Sequence, residues 1–171
     1  VLTVDKKCNI EITSSKVDYM TTSLSFDIKI LYGLEGLVDS SSVGSVAAIN
    51  DLDYPWVRDS SISDKVAYYP TNQGLHSSSS FLTCIVSGTG VLAYDYKVSA
   101  EDNWDYMIVY VDDVLVKRYK SSCDWTSDFI IMSEETQTVK FEYKKDGSGN
   151  RNEDKVWVAN LRLLSGNAEL T

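Results

Sequence analysis

The chain reads as an all-β protein, a two-sheet antiparallel jelly-roll β-sandwich, on three observations. Several runs alternate apolar and polar residues with a period of two, the mark of half-buried strands. Stretches with helical periodicity are nearly absent. The alternating runs are separated by short clusters of Gly, Ser, Asn and Asp, which suit turns between many short strands.

Taken in order, Ile10–Thr13 is a short candidate strand. In Ser25–Tyr32, Phe26, Ile28, Ile30 and Tyr32 oppose Asp27, Lys29 and Leu31. Val38–Ser45 is rich in Ser and Gly and reads as a loop. Ala47–Asp53 then leads into Tyr54–Trp56. Lys65–Tyr69 and Ser79–Val86 are further strands. The clearest pair spans Gly88–Asp113. Leu92, Tyr94, Tyr96 and Val98 share one face of its first strand, and Tyr106–Val111 supplies aromatic and β-branched residues for the second. Between them lies an acidic turn, Ser99–Asp105, with three carboxylates and a Trp. Val114–Tyr119 follows a turn at Asp112 and Asp113. Trp125–Met132 and Thr138–Lys144 come next, the latter with Val139, Phe141 and Tyr143 on one face. A polar loop, Lys145–Glu153, precedes a last strand, Val156–Leu163, on which Trp157, Ala159, Leu161 and Leu163 read as one face. The domain boundaries expected are a sandwich over 41–165 and a frayed tail over 166–171. Residues 1–40 are either its first strands or the end of a preceding module.

Composition narrows the function. The sequence has 171 residues, 43% of them hydrophobic, enough to bury a core. A net charge of −9 disfavours nucleic acid and anionic membrane surfaces, both of which call for Lys/Arg patches. No run approaches the roughly 18 apolar residues of a membrane span, so membrane insertion is not expected. The start at Val1 suggests a mature protein or an excised domain. With three cysteines, none in a CxxC pair, and one His, a zinc site lacks ligands. Cys84 and Cys123 are either a disulfide of an exported protein or isolated core thiols.

Four stretches then carry a resemblance: NDLDYPW at 50–56, GTGVLAYDYK at 88–97, WDYMIVYVDD at 104–113, and TVKFEYKKD at 138–146 with EDKVWV at 153–158. Together they make the region from Asn50 to Leu163 similar to the MAM-like (concanavalin-like) jelly-roll accessory modules of bacterial secreted and cell-surface proteins. The resemblance implies a non-catalytic extracellular module that binds a glycan or a host or neighbouring protein domain. The alternative is a structural spacer beside a catalytic domain. It also implies a structural Ca²⁺ near the strand ends. Related modules usually carry an acidic residue after the Val-Trp-Val stretch, where this chain has Ala159, which weakens that site if the acid is a ligand.

The candidate site residues follow. Calcium needs about six to eight oxygen ligands; Asp51, Asp53 and Asp154 form one candidate set, to be brought together from the first and last strands, and Glu101, Asp102 and Asp105 of the acidic loop form the other. For a ligand surface, the acidic loop offers Glu101, Asp102 and Asp105, with Trp104 as an apolar plate for a sugar ring. Trp125 lies in similarly polar surroundings, whereas Trp56 and Trp157 read as core. The bland alternative for either set is a solvated acidic loop. No pair of carboxylates stands in a recognisable glycosidase motif. His76 lies in a strand entry with no nucleophile elbow, so an enzyme is not expected.

Overall fold

The computed structural model describes residues 33–165. Among these residues there are ten strands and no helix: β1 (Ser45–Ile49), β2 (Trp56–Arg58), β3 (Ala67–Pro70), β4 (Ser79–Ser87), β5 (Gly90–Ser99), β6 (Tyr106–Val111), β7 (Val114–Tyr119), β8 (Cys123–Met132), β9 (Thr136–Lys144) and β10 (Lys155–Leu164). They form two five-stranded antiparallel sheets, ordered β1-β4-β9-β6-β7 and β2-β3-β10-β5-β8. This is the expected jelly-roll sandwich. The expected strands at Ile10–Thr13 and Ser25–Tyr32, and the 166–171 tail, lie outside the described residues.

Alternation sets the core. Leu82, Cys84 and Val86 of β4, Met107 and Val109 of β6, and Val139, Phe141 and Tyr143 of β9 point inward from the first sheet. Leu92, Tyr94, Tyr96 and Val98 of β5, with Val156, Val158, Leu161 and Leu163 of β10, meet them from the second. Tyr94 and Phe141 pack edge to face with ring centroids 5.0 Å apart, a preferred aromatic geometry. Each fully buried large side chain of this kind stabilises the fold by roughly 1.5–3 kcal/mol. Leu37 is buried in the same core, and Leu161 exchanges backbone hydrogen bonds with Leu37 and Asp39. Residues 33–40 therefore pack as part of the sandwich.

One expectation is corrected here. Trp157 and Ala159 do not share a face with Leu161 and Leu163. A bulge lies between Ala159 and Arg162, where Asn160 takes a left-handed φ of 50°. One extra residue shifts the alternation. Trp157 and Ala159 fall in a small separate cluster with Ala67, flanked by Ile62, Tyr69 and Trp125. Of the two alternatives left open for Cys84 and Cys123, the structure has the free thiols. Cys84 is a core residue, and burial pushes its thiol up to about 12.

Four loops gather around Lys145 at one end of the sandwich, beside the link from β1 to β2. They join β3 to β4, β5 to β6, β7 to β8, and β9 to β10. The opposite end carries the short turns from β4 to β5, β6 to β7 and β8 to β9 and the longer link from β2 to β3. Among them, Asp112 and Asp113 both take positive φ, 48° and 66°, between the paired residues Val111 and Val114. That is the signature of a type I′ hairpin.

Candidate functional site

The four-loop end is built on a buried cation. Val139, Phe141 and Tyr143 set an inward register on β9, and Lys145 continues it just past the strand. Its side chain is 0% exposed. The ammonium lies between two carboxylates, 3.0 Å from Asp105 Oδ2 and in close contact with Asp154 Oδ1. The other contacts of the two carboxylates tie the β5–β6, β9–β10 and β3–β4 loops together and to β9. Asp105 Oδ1 accepts the Asp146 N–H, Asp154 Oδ2 accepts the Gly74 N–H, and the Tyr143 hydroxyl donates to Asp154 Oδ1. Burial and the adjoining Asp154 carboxylate push the Tyr143 phenol well above its ordinary range. Buried charges persist only when paired and hydrogen-bonded in this way.

The acidic turn rides on this hub. The Asp105 and Trp104 amides donate to the Glu101 carbonyl, and the Asn103 amide, at φ 66°, donates to the Lys120 carbonyl. Asp102 Oδ1 accepts the Ser122 N–H at 2.6 Å. Gly149 faces the Glu101 carboxylate so closely that a Cβ there would sit 2.1 Å from an oxygen, at a φ of 76° that also favours glycine. Trp104 is left 59% exposed on this fixed turn. It borders a shallow depression of about 310 Å³ with Glu101, Asp102, Arg151 and Asn152. Arg151 Nε lies 3.6 Å from Glu101 Oε1. Of the seven non-glycine residues described with positive φ, four (Ser77, Asn103, Asn152 and Asp154) lie in the loops of this end. Such conformations cost free energy and concentrate at functional sites.

The structure thus brings together Glu101, Asp102 and Trp104, but not all of the expected set. Asp105 is a correction: at 1% exposure it lies under the turn, satisfied by Lys145, and offers nothing to a ligand. Trp125 is also displaced from the expected surface. It is half-buried on β8 with the Trp157 cluster, and the Lys65 ammonium sits 4.5 Å above its ring.

The candidate calcium ligands are not assembled. Asp51 Oδ1 accepts the Asp53 and Tyr54 amides and Oδ2 accepts the Phe81 amide, so it closes a local turn. Asn50 completes that knot by exchanging two hydrogen bonds with the Trp56 backbone. Asp154 is held elsewhere, by Lys145. Among the described residues no three His, Cys, Asp or Glu side chains form a group fit for a metal ion.

Arg151, Asn152 and Lys145 were missed as site residues. The first two fell in a segment legible only as a polar loop. Lys145 carried a signal: it occupies the core parity of β9, where a cation demands buried carboxylates. His76 is exposed in the loop joining β3 to β4.

No protein-family model and no curated protein matches the chain. Solved structures do. The secreted serine protease VesC from Vibrio cholerae is 14% identical with a TM-score of 0.51, over 68% of this chain and 26% of that one. This chain therefore spans about a quarter of the protease it matches. A family 29 carbohydrate-binding module is 11% identical with a TM-score of 0.41, over 74% of this chain and 98% of that one. A β-(1,4)-mannanase from Podospora anserina, GH26-CBM35, is 11% identical with a TM-score of 0.33, over 74% and 30%. At these identities the likeness is one of fold alone, and the two with TM-scores under 0.5 carry no further weight.

Proposed function

We propose that this domain is a non-catalytic carbohydrate-binding module whose ligand lies against Trp104. The observation that carries the reading is a large indole face left exposed on a turn that is immobilised from beneath. Water-exposed tryptophan is costly on a free surface and useful against the apolar face of a sugar ring. Around it, Glu101 and Asp102 supply acceptors for sugar hydroxyls, and charged acceptors strengthen such bonds. Arg151 supplies donors, and Asn152, whose Nδ2 is taken up by the Ala100 carbonyl and Ser122 Oγ, offers its Oδ1 as an acceptor. The preorganised turn lowers the ordering cost of binding. The reading includes an extracellular location, which rests on the sequence resemblance to modules of secreted and surface proteins.

The test is Trp104→Ala on a glycan array with melting curves in parallel. An exposed plate gives loss of binding with a stability change of about 0.5 kcal/mol or less. A loss near 3–5 kcal/mol, the cost of truncating a buried Trp, would show instead that the indole props the turn. A native protein that binds no glycan would leave the domain a structural spacer.

A further inference from the structure

We infer that the Trp104 site is one end of a longer groove that takes an internal stretch of a neutral or amino-sugar chain. This rests on the carbohydrate-binding reading above. A second open depression, of about 350 Å³, adjoins the first. It is bordered by Lys97, Ser99, Ser122, Asp124 and Glu153, and shares Asn152 with the first. Each alone is at the bottom of the roughly 300–1,000 Å³ range of small-ligand sites. They meet at Asn152 and both are open to solvent, which offers a path rather than a closed pocket. A closed pocket selects a chain end, whereas an open path admits a chain that continues in both directions.

Asn152 fixes the junction. It holds a left-handed φ of 57°, and its Nδ2 donates to the Ala100 carbonyl at 2.7 Å and to Ser122 Oγ at 3.0 Å. Both of its donors are thus used on the protein, and its Oδ1 remains as an acceptor between the two depressions. Ser122 Oγ in turn donates to the Ala100 carbonyl. The floor shared by the two halves is therefore built from satisfied, locked groups, as a subsite requires.

Charge selects the chain. Glu101, Asp102, Asp124 and Glu153 oppose only Lys97 and Arg151, and Lys97 and Arg151 each lie within 4 Å of one of those carboxylates. A net negative groove on a chain of net charge −9 repels polyuronates and tolerates neutral or cationic sugars.

The experiment titrates native protein, Trp104→Ala, Lys97→Gln and Asp124→Asn with linear oligosaccharides of two to six rings, drawn from the neutral and amino-sugar glycans bound on the array, and with polygalacturonate. Native affinity is expected to rise about tenfold from the disaccharide to the hexasaccharide, or 1.4 kcal/mol. In Lys97→Gln and Asp124→Asn the ratio of those two affinities falls toward one. Polygalacturonate binding is expected to be undetectable. Equal native affinity at all lengths, an undiminished ratio in both variants, or polygalacturonate bound as tightly as the neutral chains each overturns the inference. Binding that depends on Trp104 but not on length sinks the extended groove while leaving the Trp104 site intact. A native protein that binds no glycan sinks the carbohydrate reading itself.

Discussion

Lys145 shows how much one side chain decides. Its ammonium neutralises Asp105 and Asp154, and through them three loops take their positions. Lys145→Met should destabilise the domain by about 3–5 kcal/mol, because it strands two buried carboxylates. Chemical denaturation measures this directly, and a loss below about 1 kcal/mol would show that water reaches the hub. The same geometry bears on calcium. An internal cation already occupies the carboxylates at these strand ends, and Asp51 spends its oxygens on amides. Melting curves in millimolar Ca²⁺ and in chelator should therefore coincide, since only a ligand of the folded state raises the melting temperature. A clear upward shift with Ca²⁺ would restore the calcium expectation. At this scale Trp104 and its acidic neighbours were legible because a Trp amid carboxylates in a turn has few apolar partners nearby in sequence. The burial of Asp105 was not legible, because its partner lies 40 residues away.

At the scale of elements, alternation revealed the long strands, from β4 to β10, since six to ten residues give enough repeats to fix a phase. Two features escaped it. With three residues, β2 is too short to show a period. The Asn160 bulge inverted the second half of β10, because one added residue moves every later side chain to the other face. The hairpin from β6 to β7 offers a test of local chemistry. Asp112 Oδ1 accepts the Thr138 amide at 2.8 Å and Oδ2 accepts Gln137 Nε2 at 3.0 Å, pinning the turn to β9. Asp112→Ala should destabilise the domain by removing both acceptors. Asp113→Gly should be neutral or stabilising by up to about 1 kcal/mol, since glycine accepts the left-handed φ without a Cβ penalty. Denaturant midpoints of the two variants must move in opposite directions or, for the glycine, not at all. A stability loss at Asp113→Gly matching that at Asp112→Ala would show that the Lys140–Asp113 ion pair, not the backbone, governs the turn.

For the whole molecule, the acidic composition translates into a pH profile. Burial alone would raise the carboxyls of Asp59, Asp95 and Asp128, but hydrogen bonds and nearby lysines outweigh it and hold all three below the usual range. Asp59 accepts from Ser61 and the Trp157 indole, Asp95 from Ser127, Asn160 and Lys65, and Asp128 from Lys117, Tyr119 and the Phe129 amide. A depressed carboxyl adds stability that is complete above its unfolded value, about 3.9, and vanishes as pH falls through the lower folded value. Melting temperature should hold level down to about pH 4–5 and drop below it, and Asp128→Asn should flatten part of that drop. On the alkaline side, burial pushes the Tyr96 and Tyr110 phenols up to about 12. Their folded values exceed the unfolded one, so this contribution is intact below about pH 10 and is lost above it. Absorbance at 295 nm should show these phenols ionising together with unfolding.

The direction of β10 has a consequence for any protein that carries this domain. The ten-residue strand begins at Lys155 beside the Trp104 loops and ends at Leu164, at the opposite pole. At about 3.3 Å per residue, Leu164 lies roughly 30 Å from Lys155 and the Trp104 loops. A body joined there would be tethered to a glycan without obstructing it, and its encounters with that surface would be set by linker reach and effective concentration rather than by free diffusion.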